Sequence, residues 1–101
     1  MSARDAQALT ISLVTPNYNG ATYLANCLDS IAAQGYPALE HVVVDGASTD
    51  ASLDIINQRR ERYAAVISEP DSGHADALNK GFACTSGEIM GWLNSDDMLH
   101  P

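Results

Sequence analysis

Basic residues are scarce in this chain. Its 101 residues include Lys+Arg 5 against Asp+Glu 13, for a formal charge of −8. A surface so poor in cations is a bad match for nucleic acid or an anionic membrane face, both of which call for a basic patch. Long apolar runs are missing too. The longest is Tyr63 to Ile67, far short of the roughly 20 residues that cross a bilayer. No apolar stretch follows Met1-Ser2-Ala3-Arg4-Asp5 in the manner of a signal peptide. The two cysteines, Cys27 and Cys84, are isolated, with no CxxC and no Cys/His cluster. They read as small buried hydrophobes in a reducing compartment, so the chain is expected to be cytoplasmic, or at the cytoplasmic face of a membrane within a longer protein. There is no GxxxxGK[ST], no GxGxxG after a strand and no GxSxG, which removes the anchors of P-loop, dinucleotide and serine-hydrolase readings.

Hydrophobic residues make up 46% of the chain, enough for a folded domain and too many for an acidic disordered tail. Their pattern alternates. Leu9 to Thr15 is β-branched and apolar and meets Pro16, which predicts a strand. From Thr22 to Gln34, Tyr23, Leu24, Cys27, Leu28 and Ile31 fall on one helical face, and Gly35 is a stop. Glu40 to Asp45 predicts a second strand, its unbroken Val42-Val43-Val44 suited to cover on both faces. Ser48 or Thr49 caps a second helix that extends to about Arg62, with Leu53, Ile55 and Ile56 inward. Ala65 to Ser68 predicts a third strand. His74 to Thr85 predicts a third helix with Ala75, Leu78, Phe82 and Ala83 on its stripe. Ile89 to Leu93 predicts a fourth strand. The order β-α-β-α-β-α-β implies an α/β fold, a Rossmann-like parallel sheet with right-handed helical crossovers.

Ligands of such sheets bind beyond the carboxyl ends of the strands. Those ends carry Pro16, Asn17, Tyr18 and Asn19, then Asp45 and Gly46, then Asp71-Ser72-Gly73, then Asp96 and Asp97. Carboxylates gathered on one rim repel one another, and Lys80 is the only Lys or Arg after Arg62. A divalent cation offsets that repulsion economically. Oxygen ligands favour Mg²⁺ or Mn²⁺, ions that commonly combine one or two carboxylates with a ligand's phosphates. Read one by one, the same residues have plainer roles: a DD pair is a solvated turn, His41 and His100 are ordinary positions, and His74 is a helix-start surface residue.

Taken together, ISLVTPNYNG (11–20), VVVDGASTD (42–50), SEPDSGHADALNKGFACTSGEI (68–89) and WLNSDD (92–97) resemble the nucleotide-binding half of family 2 glycosyltransferases, inverting enzymes with a GT-A fold. The resemblance implies that the chain binds a nucleotide diphosphate sugar, with UDP as the expected carrier, for transfer to an acceptor hydroxyl. It implies a nucleobase wall from Thr15, Pro16 and Tyr18, and an acceptor for a base N–H from Asp45. Asp71 and Gly73 would lie near the ribose, Lys80 near phosphate and Asp96 on the ribose or phosphate side. Asp97 would be the ligand of Mn²⁺ or Mg²⁺. Two positions depart from the family's pattern: Asn94 stands where many members have aspartate, and Leu78-Asn79 lacks their arginine. Family members continue beyond this stretch with an acceptor-binding half and a catalytic base, so residues 1–101 are expected to form one donor-binding unit with no catalytic base of its own.

Two other readings compete. A nucleotidyltransferase would want a basic, Gly-rich loop after the first strand, and PNYNGATY has no cation. A non-catalytic module would use the fourth strand as an exposed apolar edge, which favours a homodimer.

Overall fold

The computed structural model describes residues 10–95. Four strands form one parallel sheet: β1 (Ile11–Asn17), β2 (Leu39–Asp45), β3 (Ala65–Ser68) and β4 (Ile89–Trp92), in the order β3-β2-β1-β4. Three helices cross between them: α1 (Ala21–Ala33), α2 (Ser52–Asn57) and α3 (His74–Phe82), with a 3₁₀ turn at Arg60–Arg62. The Rossmann-like architecture expected from the alternating pattern is therefore present.

The sheet is covered on both faces, as the continuous valines of β2 predict. Val42 and Val44 face α3, packing with Val14 and Ala77. Val43 points the other way, into Leu24 and Leu28 of α1 and Ile56 of α2. All these side chains are buried, and burying one Val, Leu or Ile is worth roughly 1.5–3 kcal/mol. Gly81 lets α3 approach this closely, because a Cβ there would lie 2.4 Å from Val14 Cγ1.

Several boundaries differ from the sequence expectation. β1 continues through Pro16 to Asn17 although it is a central strand. Val14 O accepts from Leu93 N, so Val14 faces β4, and Pro16, two residues on, faces the same side. The pairing of β1 with β4 ends at Val14 with Trp92, so the missing proline N–H falls where no ladder bond is needed. The second helix breaks at Asn57 and finishes as the 3₁₀ turn. Arg59 and Arg62 then reach back to Asp29 of α1 at 2.8 and 2.9 Å, which holds the Asp29 carboxyl at about 2. The buried stripe of α3 consists of Ala77 and Gly81, flanked by the partly buried Leu78 and Phe82, whereas Ala75 and Ala83 are exposed. Cys27 is buried as expected, but Cys84 is exposed because α3 has ended before it.

The fourth strand is an edge of the sheet, and its side chains are poorly covered: Ile89, Met90 and Trp92 are all exposed. Among the described residues, no helix is long and apolar enough to cross a membrane.

Candidate functional site

A cleft of about 880 Å³ opens at the carboxyl ends of the strands. Its walls come from the loops after β1 and β2 on one side, and from the start of α3 and the end of β4 on the other. Tyr18 and Tyr23 present rings at its mouth, 64% and 58% exposed. Aromatic rings this exposed suit stacking on a planar ligand.

The β1/β2 side is tied together by side chains. Asp45 is fully buried. Its Oδ1 accepts from Asn17 Nδ2 at 2.9 Å and Ser48 Oγ at 2.6 Å, and its Oδ2 from Ser48 N at 2.9 Å and Ser68 Oγ at 3.4 Å. Four donors occupy the lone-pair sites of one carboxylate, which is how a buried charge becomes tolerable. Asn19 adds a second tie: its Oδ1 accepts from Thr49 N at 2.8 Å, and its own N donates to Ser48 Oγ at 2.9 Å. Asp50 completes the set by accepting from Ala21 N at 3.1 Å, at the start of α1. The two loops thus form one hydrogen-bonded floor. Asn19 and Ala47 hold left-handed backbone within it, at φ 52 and 62.

The opposite side is more loosely joined. Asp71 Oδ1 accepts from Gly73 N at 3.0 Å, and its carboxylate lies over Gly46, where a Cβ would be 2.8 Å from Oδ2. Gly73, at φ 120, opens α3. His74 Nε2 lies 2.8 Å from Asn94 Oδ1, joining the start of α3 to the end of β4.

Of the residues singled out from sequence, Pro16, Tyr18, Asp71 and Gly73 line the cleft. Three do not. Thr15 is fully buried with its hydroxyl 2.8 Å from His41 Nε2, because strand alternation turns it onto the face covered by α1 and α2. It is a core residue, and its side chain does not line the cleft. Asp45 offers no exposed oxygen; its carboxylate is consumed by the floor just described. Lys80 Nζ donates to Pro70 O at 2.7 Å and lies 3.5 Å from Asp76 and 3.8 Å from Glu69. That anchors the loop before α3 and spends the charge locally. Asp96 and Asp97 lie outside the described residues.

The expected ring of rim carboxylates is correspondingly reduced, since Asp71 is the only one lining the cleft among the described residues. No group of three His, Cys, Asp or Glu among them could hold a metal ion. His41 is also explained: burial pushes its pKa down to about 4, and its ring meets Tyr63 edge-on with centroids 5.1 Å apart. Burial pushes the Tyr63 hydroxyl up to about 12.

Sequence reasoning placed Asn17 at a strand end without giving it a role and missed Gly20, Tyr23 and Ser95; all four line the cleft. The register pairs Asn17 with Asp45, so aligning the carboxyl ends of the two strands would have revealed the contact.

Residues 12–101 match the family described as Glycosyl transferase family 2. An uncharacterised glycosyltransferase of Nostoc sp. is 38% identical over 96 residues, covering 92% of this chain and 30% of the relative. The crystal structure of S. aureus TarS 1-349 in complex with UDP is similar at a TM-score of 0.77 and 31% identity, covering 87% of this chain and 28% of that one. A mannosyltransferase from Pyrobaculum calidifontis, in complex with GDP-Man and Mn²⁺, is similar at a TM-score of 0.79 and 34% identity, again covering 87% and 28%. The chain therefore spans about 30% of the length of these relatives.

Proposed function

The chain belongs to glycosyl transferase family 2, and from that premise we propose that it is the donor-binding part of an inverting glycosyltransferase. It would bind a nucleotide diphosphate sugar, a UDP-sugar first among them, with a divalent cation, for transfer of the sugar to an acceptor hydroxyl. The observation that carries this reading is the cleft at the strand ends, with unpaired aromatic rings at its mouth and a hydrogen-bonded floor. The similarity to proteins holding UDP or GDP-Man supports the same class of ligand.

Pro16, Tyr18 and Tyr23 would border the base, while Asp71 and Gly73 would border the ribose. No Lys or Arg lines the described cleft, so a diphosphate needs charge from elsewhere. Mn²⁺ or Mg²⁺ fits that need, with Asp97 as its ligand and Asp96 beside it on the ribose or phosphate side, since such ions take one or two carboxylates plus phosphate oxygens. When bound, the ion would stabilise the negative charge of the departing nucleoside diphosphate. The protein's own share is to stack the base, hold the ribose and keep the floor rigid. The acceptor, and the base that deprotonates it, would be held by residues outside this chain, in keeping with its share of the relatives' length. A cytoplasmic location is proposed with this function.

Calorimetric titration of UDP with and without Mn²⁺ tests the reading. Metal-dependent binding is expected in the unaltered chain, and Asp97→Ala should abolish the dependence. Silence toward UDP and other nucleoside diphosphates, with or without metal, would overturn the proposal.

The exposed Ile89, Met90 and Trp92 on an edge strand favour a second property, association of two copies through β4. Light scattering should then report a dimer that Trp92→Lys disperses; a strict monomer at high concentration removes the idea.

A further inference from the structure

We infer that the Asn19–Gly20 peptide is a site of spontaneous deamidation, imposed on the chain by its fold and restrained by the floor of the cleft. Of the asparagines in the chain, Asn19 is the one followed by glycine. That dipeptide is the most prone to this reaction, because a residue without Cβ leaves its amide nitrogen unshielded. Geometry sets both halves of the pair. Asn19 holds left-handed backbone at φ 52, a conformation that asparagine tolerates better than most residues. Position 20 has no room for a side chain: a Cβ there would collide with Asn17 Oδ1 and lie 2.6 Å from Ser95 Oγ. Neither residue is freely exchanged for a more durable one.

The reaction needs no partner but water. The Gly20 nitrogen attacks Asn19 Cγ and forms a new N–Cγ bond. The bond from Cγ to Nδ2 breaks, and the amide nitrogen leaves as ammonia with the proton that Gly20 gives up. Water then opens the five-membered succinimide at either carbonyl. Opening at Cγ gives aspartate. Opening at the main-chain carbonyl gives isoaspartate, in which the backbone runs through the former side chain. Nothing is oxidised or reduced.

Asn19 is exposed, so water reaches it. What restrains it is the hold on its side chain. Oδ1 accepts from Thr49 N at 2.8 Å, from Thr49 Oγ1 at 3.4 Å and from Asp50 N at 3.3 Å. Asn19 N donates to Ser48 Oγ at 2.9 Å. Beyond the peptide, Gly20 O accepts from Tyr23 N and Leu24 N in the first turn of α1, at 3.1 and 3.0 Å. Closing the succinimide ring draws Cγ onto the Gly20 nitrogen, which pulls Oδ1 away from the loop after β2. The folded chain should therefore react from the open fraction of the floor. Isoaspartate adds a main-chain carbon between β1 and α1, and on the donor-site reading above it disables the cleft. Aspartate keeps the chain length and an acceptor for the same three donors.

The test is peptide mapping by mass spectrometry after incubation in mildly alkaline buffer, with isoaspartate told from aspartate by chromatography. In concentrated urea, Asn19 should be the first asparagine to deamidate. In the folded chain it should react more slowly by about tenfold or more. Thr49→Pro removes two of the donors to Oδ1 and should return much of that factor in a chain still folded by circular dichroism. Ser48→Ala, which frees Asn19 N, is read in its place if the proline variant does not fold. Equal rates in urea and buffer overturn the inference. So does another asparagine reacting first in urea, or a folded variant that reacts no faster than the unaltered chain. The consequence for the cleft is read separately, by calorimetry with UDP and Mn²⁺. The isoaspartate fraction should lose about tenfold or more in affinity, and Asn19→Asp no more than about threefold. Equal binding by the isoaspartate fraction overturns that consequence. If the unaltered chain does not bind UDP, the donor-site reading falls, and the chemistry at Asn19 is decided by the mapping alone.

Discussion

The two walls of the cleft are built differently. On the β1/β2 side, Asn17, Asn19, Asp45, Ser48, Thr49 and Asp50 knit two loops together with bonds of 2.6 to 3.4 Å; the bond of Asn17 to Asp45 is buried, those of Ser48 to these two are partly buried, and those of Asn19 are exposed. On the α3/β4 side, the side chain that joins α3 to the segment after β4 is His74, 2.8 Å from Asn94 in an exposed setting; Cys27 Sγ donates to Asn94 O at 3.5 Å, and β4 itself is short and uncovered. A buried network around a charge gains strength from its low-dielectric surroundings and fails badly when one member is removed. A solvent-exposed bond exchanges with water at little cost. One wall is thus a fixed template, and the other is free to adjust around whatever occupies the cleft.

The largest effect should come from the hub of the fixed wall. Asp45→Ala strands the donors of Asn17, Ser48 and Ser68 in a buried place. It should cost roughly 3 kcal/mol or more in urea unfolding, a large share of the 5–15 kcal/mol typical of a domain. A loss below about 1 kcal/mol would mean that water reaches the hub and that the walls are not so different after all.

Beneath the same wall lies a pH response. The pKa of His41 is lowered by burial from 6.5 to about 4, so at pH 5 the unfolded chain binds a proton that the folded chain does not. Stability therefore rises with pH across this window. It is fully present above about 6.5 and is lost as pH falls toward 4, by about 3 kcal/mol in all. Urea midpoints measured across that range should show the slope, and His41→Gln should flatten it between pH 4 and 6.5.

Much of the fold was legible because two periodicities, a strand's and a helix's, alternate cleanly along the chain. Val42-Val43-Val44 announced a doubly covered strand, and Gly35 ended α1 where expected, at φ 65. The site was harder to read. Asp45 and Thr15 carry ligand roles through the family resemblance, and both side chains are buried in the described structure. Whether a side chain at a strand end faces the cleft or the core depends on alternation and register, which set the partners His41 for Thr15 and Asn17 for Asp45. Lys80, given a phosphate role by the same resemblance, donates to the carbonyl of Pro70 and lies near two carboxylates, contacts that no motif records. Asn17 stood at a strand end without a role because it meets Asp45 across two strands, a contact set by register that no residue pattern records.

The smallest effect on stability should come from the adjustable wall, and there the two walls separate most clearly. His74→Ala removes an exposed side chain and one bond that water can replace, so the unfolding free energy should change by no more than about 0.5 kcal/mol. Binding should respond more than stability does. His74 holds Asn94, and Asn94 precedes Ser95, which borders the cleft beside Asn17. Releasing that segment adds conformations that a ligand must select against, which should weaken UDP by roughly threefold while the melting curve stays where it was. Asp45→Ala should do the reverse in proportion, losing stability first and binding only as a consequence. If His74→Ala instead unfolds the chain by more than about 1 kcal/mol, the α3/β4 wall is structural and the contrast fails. If it leaves UDP affinity untouched, the wall is loose but takes no part in holding the ligand.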